Sequence, residues 1–320
     1  MDRRSFLIGS TLAAAPLPLP ALAAARRYPA GDATIVVGFA AGGAGDLAAR
    51  TAAKYAKSAR DLAVTLDFRP GAGGTIATDQ VARAKPDGSI LSLFSVSPLM
   101  VAPHIQKVPY DPAKDFTYVA AYAGISIPLF VHADSPFATW DELLDHARAN
   151  PGRLRWATAA PRGLAHIATE AAFRQEGVEA VFVPFGGGAE AVTALLGGHI
   201  DGVVASGYGP HLEAGSIRLL IETGPDPIPE QPELPTFKTR GYPLAIPAAY
   251  GLFGPADLPT EIVSWWEELL EEMTASDAYQ GFLKTLHGHR VYADNASFTQ
   301  TVVDGYREIG RQIDALGLRP

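Results

Sequence analysis

Short apolar runs alternate along this chain with longer stretches in which apolar residues recur three or four positions apart, the signatures of strands and amphipathic helices. Thr34 to Phe39 predicts a strand, Gly45 to Arg60 a helix, Ala63 to Phe68 a strand, Thr75 to Ala84 a helix and Ile90 to Val96 a strand, with Pro86-Asp87-Gly88 as the turn before the last. From Trp140 the alternation restarts. It gives a helix to Ala149, strand Leu154 to Thr158, a helix from Gly163, strand Val178 to Val183, a helix from Gly188, and strands Ile200 to Ala205 and Ile217 to Ile221. This order predicts an α/β chain with mostly parallel sheets in two units. Gly224 to Pro247 is proline-rich and expected to cross the surface between them, followed by a strand at Tyr250 to Gly254. Beyond Pro259 the chain reads as helical, with Trp265 and Trp266 expected to pack in the core. The first unit has fewer helices of its own, so the terminal helices are expected to join it. The expected division is a discontinuous domain, residues 26–124 and 249–320, interrupted by a second, 125–248.

The first 25 residues depart from this pattern. Arg3 and Arg4 precede an apolar stretch from Phe6 to Ala25 that ends in small residues, which reads as an export signal. Arg3-Arg4-Ser5-Phe6-Leu7 fits a twin-arginine signal, with an ordinary secretory signal as the alternative. The formal net charge of −8 argues against nucleic acid as a partner, while leaving room for a small anion held locally. The absence of cysteine excludes disulfides, thiolate zinc sites and a cysteine nucleophile.

Candidate chemistry centres on strands that run into glycines. Phe39-Ala40-Ala41-Gly42-Gly43-Ala44 leads into a helix carrying Asp46, and Arg69-Pro70-Gly71-Ala72-Gly73-Gly74 follows the next strand. Such turns aim unpaired N–H groups at an anion. The second unit repeats the design with Ala159-Ala160-Pro161-Arg162-Gly163 before a helix bearing His166, which either touches ligand or packs half-buried. If the units face one another, a two-ended anion fits between them. Gly43-x-Gly45-x-x-Ala48 with Asp67 also fits a dinucleotide fingerprint, which makes an exported NAD(P)-dependent oxidoreductase an alternative, but the glycines come too late after the strand for that tight turn. His287 and His289, two apart, read as a surface pair rather than a metal site. No catalytic motif or cofactor requirement is evident.

These same residues resemble the Bug-type extracytoplasmic solute receptors of tripartite tricarboxylate transporters, along nearly the whole chain after the signal. Val37, Phe39, Ala40, Gly42, Gly43, Asp46, Ala49 and Arg50 match the family's first loop, and Arg69 through Gly74 with Pro86-Asp87-Gly88 match its second. Tyr110-Asp111-Pro112, Lys114-Asp115-Phe116, Val183-Pro184, Leu195-Leu196-Gly197-Gly198 and Asp201 continue the likeness. The resemblance implies a two-lobed periplasmic-binding-protein fold, each lobe a mostly parallel sheet flanked by helices, with ligand in the interdomain cleft. It implies capture of a small organic carboxylate by main-chain N–H groups around Phe39, Ala41, Gly42, Gly43 and Ala44 and around Ala159, Ala160 and Gly163. Asp46 would cap its helix, and Arg69 would brace the second glycine turn.

Departures from the family pattern shape the expected ligand. Arg162 and Gly163 stand in a loop that has lost a serine, where Arg162 either pairs a carboxylate or faces solvent; Phe185-Gly186 replace Tyr-Lys, and Ala249 stands where Trp is usual. No acid lies near Ala205-Ser206, which disfavours an amino-acid ligand; Ser206 and Tyr208 complete the expected pocket with His166. These changes point to a mono- or dicarboxylate with apolar bulk. The implied protein is a periplasmic monomer with no catalytic residues, delivering its ligand to membrane transport subunits or, alternatively, signalling to a sensor kinase.

Overall fold

The computed structural model describes Tyr28, residues 31–245 and residues 247–317, so the export signal expected at 1–25 lies outside the described residues. Strand β1 (Ala33–Val37) is buried at all but one position and leads through loop 38–43 to helix α1 (Ala44–Arg60). The buried face of α1 is mostly alanine (Ala48, Ala49, Ala52, Ala56), which lets the helix lie close on the sheet. Strand β2 (Val64–Phe68), helix α2 (Thr75–Ala82) and strand β3 (Ile90–Leu93) follow, then the short helix α3 (Ala102–Ile105) and strand β4 (Phe116–Ile125). A first crossing leads to strand β5 (Pro128–His132), helix α4 (Trp140–Ala149), strand β6 (Leu154–Thr158) and helix α5 (Leu164–Gln175). Strand β7 (Ala180–Phe182), helix α6 (Gly188–Leu196), strand β8 (Gly202–Val204), helix α7 (Gly209–Glu213) and strand β9 (Ile217–Glu222) complete that half. The chain then returns as strand β10 (Ala248–Pro255) and ends in helices α8 (Thr260–Thr274), α9 (Asp277–Leu286) and α10 (Asn295–Ala315).

Two five-stranded sheets result, ordered β2-β1-β3-β10-β4 and β7-β6-β8-β5-β9. In each, the fourth strand alone is antiparallel to its neighbours, and it is the strand delivered by a crossing: β10 enters the first sheet and β5 the second. The sheets therefore share one topology. Helices α8 and α10 pack on β4, placing the terminal helices on the first sheet. Trp266 is fully buried there and donates to the Tyr28 hydroxyl at 2.7 Å, whereas Trp265 is half-buried and meets the Tyr28 ring edge-on.

Strands β4 and β5 have no counterpart in the sequence expectation. Every residue of β4 except Thr117 is buried, so the strand carries none of the alternation by which a half-exposed strand is recognised. Strand β3 stops at Leu93, short of the expected Val96: the Phe94 N–H still bonds the Gly251 carbonyl of β10 at 2.8 Å, and the chain then turns into a π-helical segment, Ser97–Val101, with Pro98 in its first turn. Segment 224–247 also differs from its expected surface course. Ile228 and Phe237 are fully buried in it, and Tyr242 donates from its ring hydroxyl to Glu176 beneath.

Glu222, at the end of β9, holds both crossings together. Its Oε1 accepts the Ile127 N–H of the first crossing at 3.1 Å and the Gly224 N–H of the second at 2.9 Å, while Thr223 donates to the Ile127 carbonyl at 2.7 Å. Only 3% of Glu222 is exposed, and burial pushes its carboxyl up from 4.5 to about 7 against the opposing pull of its backbone donors. An acid raised on folding binds more protons folded than unfolded between those two values, so its contribution falls as pH rises through this window. Above about pH 7 the penalty is complete, on the order of 3 kcal/mol. Glu222→Gln is therefore expected to gain roughly 2–3 kcal/mol on the parent between pH 5 and pH 8. Urea unfolding of both at the two pH values checks this, and parallel pH profiles would refute it.

Candidate functional site

Helices α4, α9 and α10 begin in the usual way: Thr139, Ser276 and Asp294 at their N-caps accept the N–H of Glu142, Tyr279 and Ser297. Three helices whose first turns border the gap between the sheets do not. Helices α1, α5 and α6 start at Gly43, Gly163 and Gly187, all in extended backbone with no side chain to offer. Each instead carries an acceptor in its third position that reaches back past the glycine. Asp46 Oδ2 takes the Gly42 N–H at 2.8 Å, His166 Nδ1 the Arg162 N–H at 2.8 Å, and Glu190 Oε2 the Gly186 N–H at 2.9 Å. The loop before each helix is fixed in this way, and in α1 and α6 the first N–H groups of the helix remain unclaimed. Among the described residues those of Ala44 and Gly45 in α1, and of Gly188 and Ala189 in α6, meet no protein acceptor.

These first turns line a cavity of about 450 Å³ between the lobes. Its walls are largely apolar, from Phe39, Ala41, Val96, Ile125, Ile127, Val192, Val204 and Ala249. Arg50 is the sole lysine or arginine among the described lining residues, and its Nε is 2.5 Å from Asp46 Oδ1. With the Arg50 charge compensated by Asp46, the donors for an anion here are chiefly main-chain N–H groups, with hydroxyls beside them. Each helix end stabilises a charge by about 0.3–1 kcal/mol when exposed and up to about 2 when partly buried. Ser95 adds a buried hydroxyl with no partner of its own, and Ser206 lies beside the Tyr250 hydroxyl. Burial pushes Tyr250 up to about 12, keeping that hydroxyl a neutral donor.

The lobes are closed on one another over this cavity. Leu164 at the start of α5 donates its N–H across the gap to Ser97 Oγ at 3.1 Å. A Cβ on Gly187 would stand 3.3 Å from that of Ala40, and one on Gly207 3.3 Å from that of Ala44. At Gly207 φ is +77°, a second reason for glycine.

The structure brings nine of the expected residues to the cavity wall: Phe39, Ala41, Gly42, Gly43, Ala44, Asp46, Ala159, Ala160 and Ser206. Gly42 and Asp46 serve there as partners of each other, so Gly42 does not offer its N–H to a ligand, and the cap of α1 is Gly43 rather than Asp46. Arg162, Gly163, His166, Phe185, Gly186 and Tyr208 stand off the wall. Arg162 is exposed at φ +61°, its N–H held by His166. Because His166 Nδ1 accepts, Nε2 carries the proton and donates to Glu170 at 3.0 Å; with the ring stacked 3.8 Å from Phe182, no ring nitrogen is left for ligand. That hydrogen bond holds the Glu170 carboxyl below the usual range. Gly163 lies behind Ser97, and Gly186 is occupied by Glu190. Phe185 and Tyr208 pack into the core of the second lobe, Tyr208 fully buried and stacked on His287 across the lobe boundary. The side chain of His287 is 12% exposed, so it forms no surface pair with the exposed His289.

Helix α6 begins at Gly188 as expected, but its first turn was not assigned to the pocket, although Gly186-Gly187-Gly188 after an apolar run is the same signal as Gly42-Gly43. Ser95 and Ser97 carry no such signal, since their place at the wall depends on the turn after β3. Arg69 bonds Asp67 at 3.0 Å rather than bracing the second glycine turn. Held by Arg69 and Gln80, Asp67 is also off the cavity wall, which removes the ribose-binding acid of the dinucleotide reading.

Two lobes of one topology, joined by paired crossings and closed over a cavity lined by helix ends from both, define a binding protein of the periplasmic type. The chain belongs to the tripartite tricarboxylate transporter receptor family, whose model matches residues 48–318. It is 30% identical to the UPF0065 protein in the gbd 5′ region of Cupriavidus necator over 99% of both chains, and 30% identical to BugT of Bordetella pertussis over 76% of this chain and 75% of that one. Among solved structures, the periplasmic binding protein BugD superposes with a TM-score of 0.84 at 26% identity, covering 91% of this chain and 99% of BugD. An R. palustris protein solved with adipate gives 0.82 at 26% identity over 91% and 98% of the chains. MatC of Rhodopseudomonas palustris, solved with malate, gives 0.80 at 25% identity over 89% and 100%.

The back-reaching carboxylate of Asp46 fixes the loop that aims α1. Replacing it with alanine leaves the Gly42 N–H and the Arg50 charge without their partner, and is expected to cost about 1–3 kcal/mol. Thermal unfolding of Asp46→Ala should show a Tm lower by several degrees; an unchanged Tm would refute the role.

Proposed function

We propose that this protein is a periplasmic, non-catalytic receptor, exported by the signal at its N-terminus, that captures a small organic mono- or dicarboxylate and hands it to the membrane subunits of a tripartite transporter. One observation carries the reading: free helix ends from both lobes border one cavity in which Arg50, the single arginine among the described lining residues, is paired with Asp46. A carboxylate meets such donors through charge-assisted hydrogen bonds, worth about 1.5–3 kcal/mol each. Two sets of donors suit two carboxylates, and the apolar walls between them suit methylene groups. The adipate and malate found in two structural relatives belong to this chemical class. The lobes divide at the two crossings, after Ile125 and before Ala248, one residue from each of the expected 124/125 and 248/249 boundaries, and move as a hinged pair in a monomer, so that binding and closure are one event.

Thermal shift against a carboxylate panel tests the proposal, since a ligand of the closed state raises Tm with its concentration. Adipate is expected to stabilise more than malate, because its longer methylene chain meets more of the apolar wall. Stabilisation by NAD(P) with no response to any carboxylate would overturn the reading. For the best carboxylate, Arg162→Ala should leave affinity unchanged. Ala44→Pro should lower it roughly 10- to 100-fold, the loss of one charge-assisted bond. Proline is accommodated at the first position of a helix, and the extended Gly43 before it is compatible, so the fold should persist. Calorimetric titration of both variants separates these outcomes.

A further inference from the structure

The two helix mouths that face the cavity are not equivalent. Beside α1 the Asp46 carboxylate is paired with Arg50, whereas beside α6 the Glu190 carboxylate also borders the cavity and has no cation partner among the described residues. A ligand carboxylate at α6 therefore meets a like charge that one at α1 does not. The α1 mouth is also the better enclosed. A Cβ on Gly45 would stand 3.3 Å from Leu93 Cδ2, 3.6 Å from Phe39 Cδ2 and 3.9 Å from the Tyr250 hydroxyl, all of the first lobe. From the second lobe, a Cβ on Gly207 would stand 3.6 Å from the Ala44 nitrogen.

Two hydroxyls meet at this mouth from opposite lobes. Tyr250 in β10 is 6% exposed, and its hydroxyl is within hydrogen-bonding reach of Ser206, half-buried in the turn after β8. A bond between the two uses one of their two protons, and among the described residues no other group accepts from either. One O–H is left over, whichever of the pair donates to the other. It lies beside the Ala44 and Gly45 N–H groups, which also lack acceptors. Three donors thus share one corner of the cavity. A carboxylate answers them with acceptors only, two oxygens to divide among three donors, whereas an ammonium group would add donors to donors.

We infer that the α1 mouth is the primary carboxylate subsite of the cleft, and that Tyr250 and Ser206 act in it as a single donor, a hydroxyl relay assembled from both lobes. The inference rests on the carboxylate-receptor reading and adds to it which end of the cavity holds the charge and which side chains read it. The α6 mouth is then the secondary end, facing the remainder of the ligand.

Adipate and hexanoate, six-carbon acids with two carboxylates and one, are titrated by calorimetry into the parent, Tyr250→Phe, Ser206→Ala and the double variant. Each single substitution should lower affinity about tenfold, the loss of one charge-assisted bond. The double variant should lose little more than either alone, because each change breaks the same relay. Hexanoate should lose as much as adipate, since its one carboxylate occupies this subsite. Both substitutions remove only a hydroxyl, so the Tm without ligand should stay close to that of the parent. An unchanged affinity in either single variant, losses that multiply to about a hundredfold in the double variant, or a loss for adipate with none for hexanoate would overturn the inference and leave the receptor reading intact. A parent that responds to no carboxylate would overturn that reading, and this inference with it.

Discussion

An α-helix cannot bond the N–H groups of its own first turn, and everything functional in this fold depends on how that deficit is met. At α4, α9 and α10 a hydroxyl or carboxylate at the cap meets it from within the chain. At α1, α5 and α6 the cap is glycine, and the acceptor has moved to the third position, where it anchors the preceding loop instead. The same device thus supplies rigidity before the helix and unsatisfied donors at its mouth. At α5 the first donor is taken by Ser97 of the opposite lobe, so one helix end serves closure while the other two face the cavity.

The two sheets share a topology but do not play equal parts. Helix α2 stands in the first lobe where α6 stands in the second, each after the edge strand and each behind a glycine turn. Only the α6 turn reaches the cavity. Gly71, Gly73 and Gly74 all have positive φ, and a Cβ at Gly38 would stand 3.0 Å from the Cα of Gly74, so the α2 turn is pressed against the end of β1. Its glycines answer a packing constraint. The crossings, by contrast, are treated alike, with one carboxyl oxygen of Glu222 accepting from each.

Much of this was readable in the residues. Glycine turns after apolar runs located α1 and α5 and the cavity wall from Phe39 to Ala44, because turn chemistry is local. The roles of Asp46 and His166 were harder, since both lie at the wall or behind it according to which backbone group they bond. Arg162 looked like a ligand for an anion by charge alone, and only its left-handed backbone shows it turned to solvent. β4 left no periodic trace because it is buried on both faces, and Ser95 gave none because its position is set by tertiary packing.

The proposed recognition through main-chain donors has an odd genetic signature. Gly43, Ala44, Gly45, Gly187, Gly188 and Ala189 supply the first turns of both cavity-facing helices, and every one is already glycine or alanine. A scan that trims side chains to alanine has nothing to remove at these positions, and registers instead the walls and supports around them. Drift among related receptors can therefore change the walls, and with them the ligand, while the anchor persists without any single side chain to mark it.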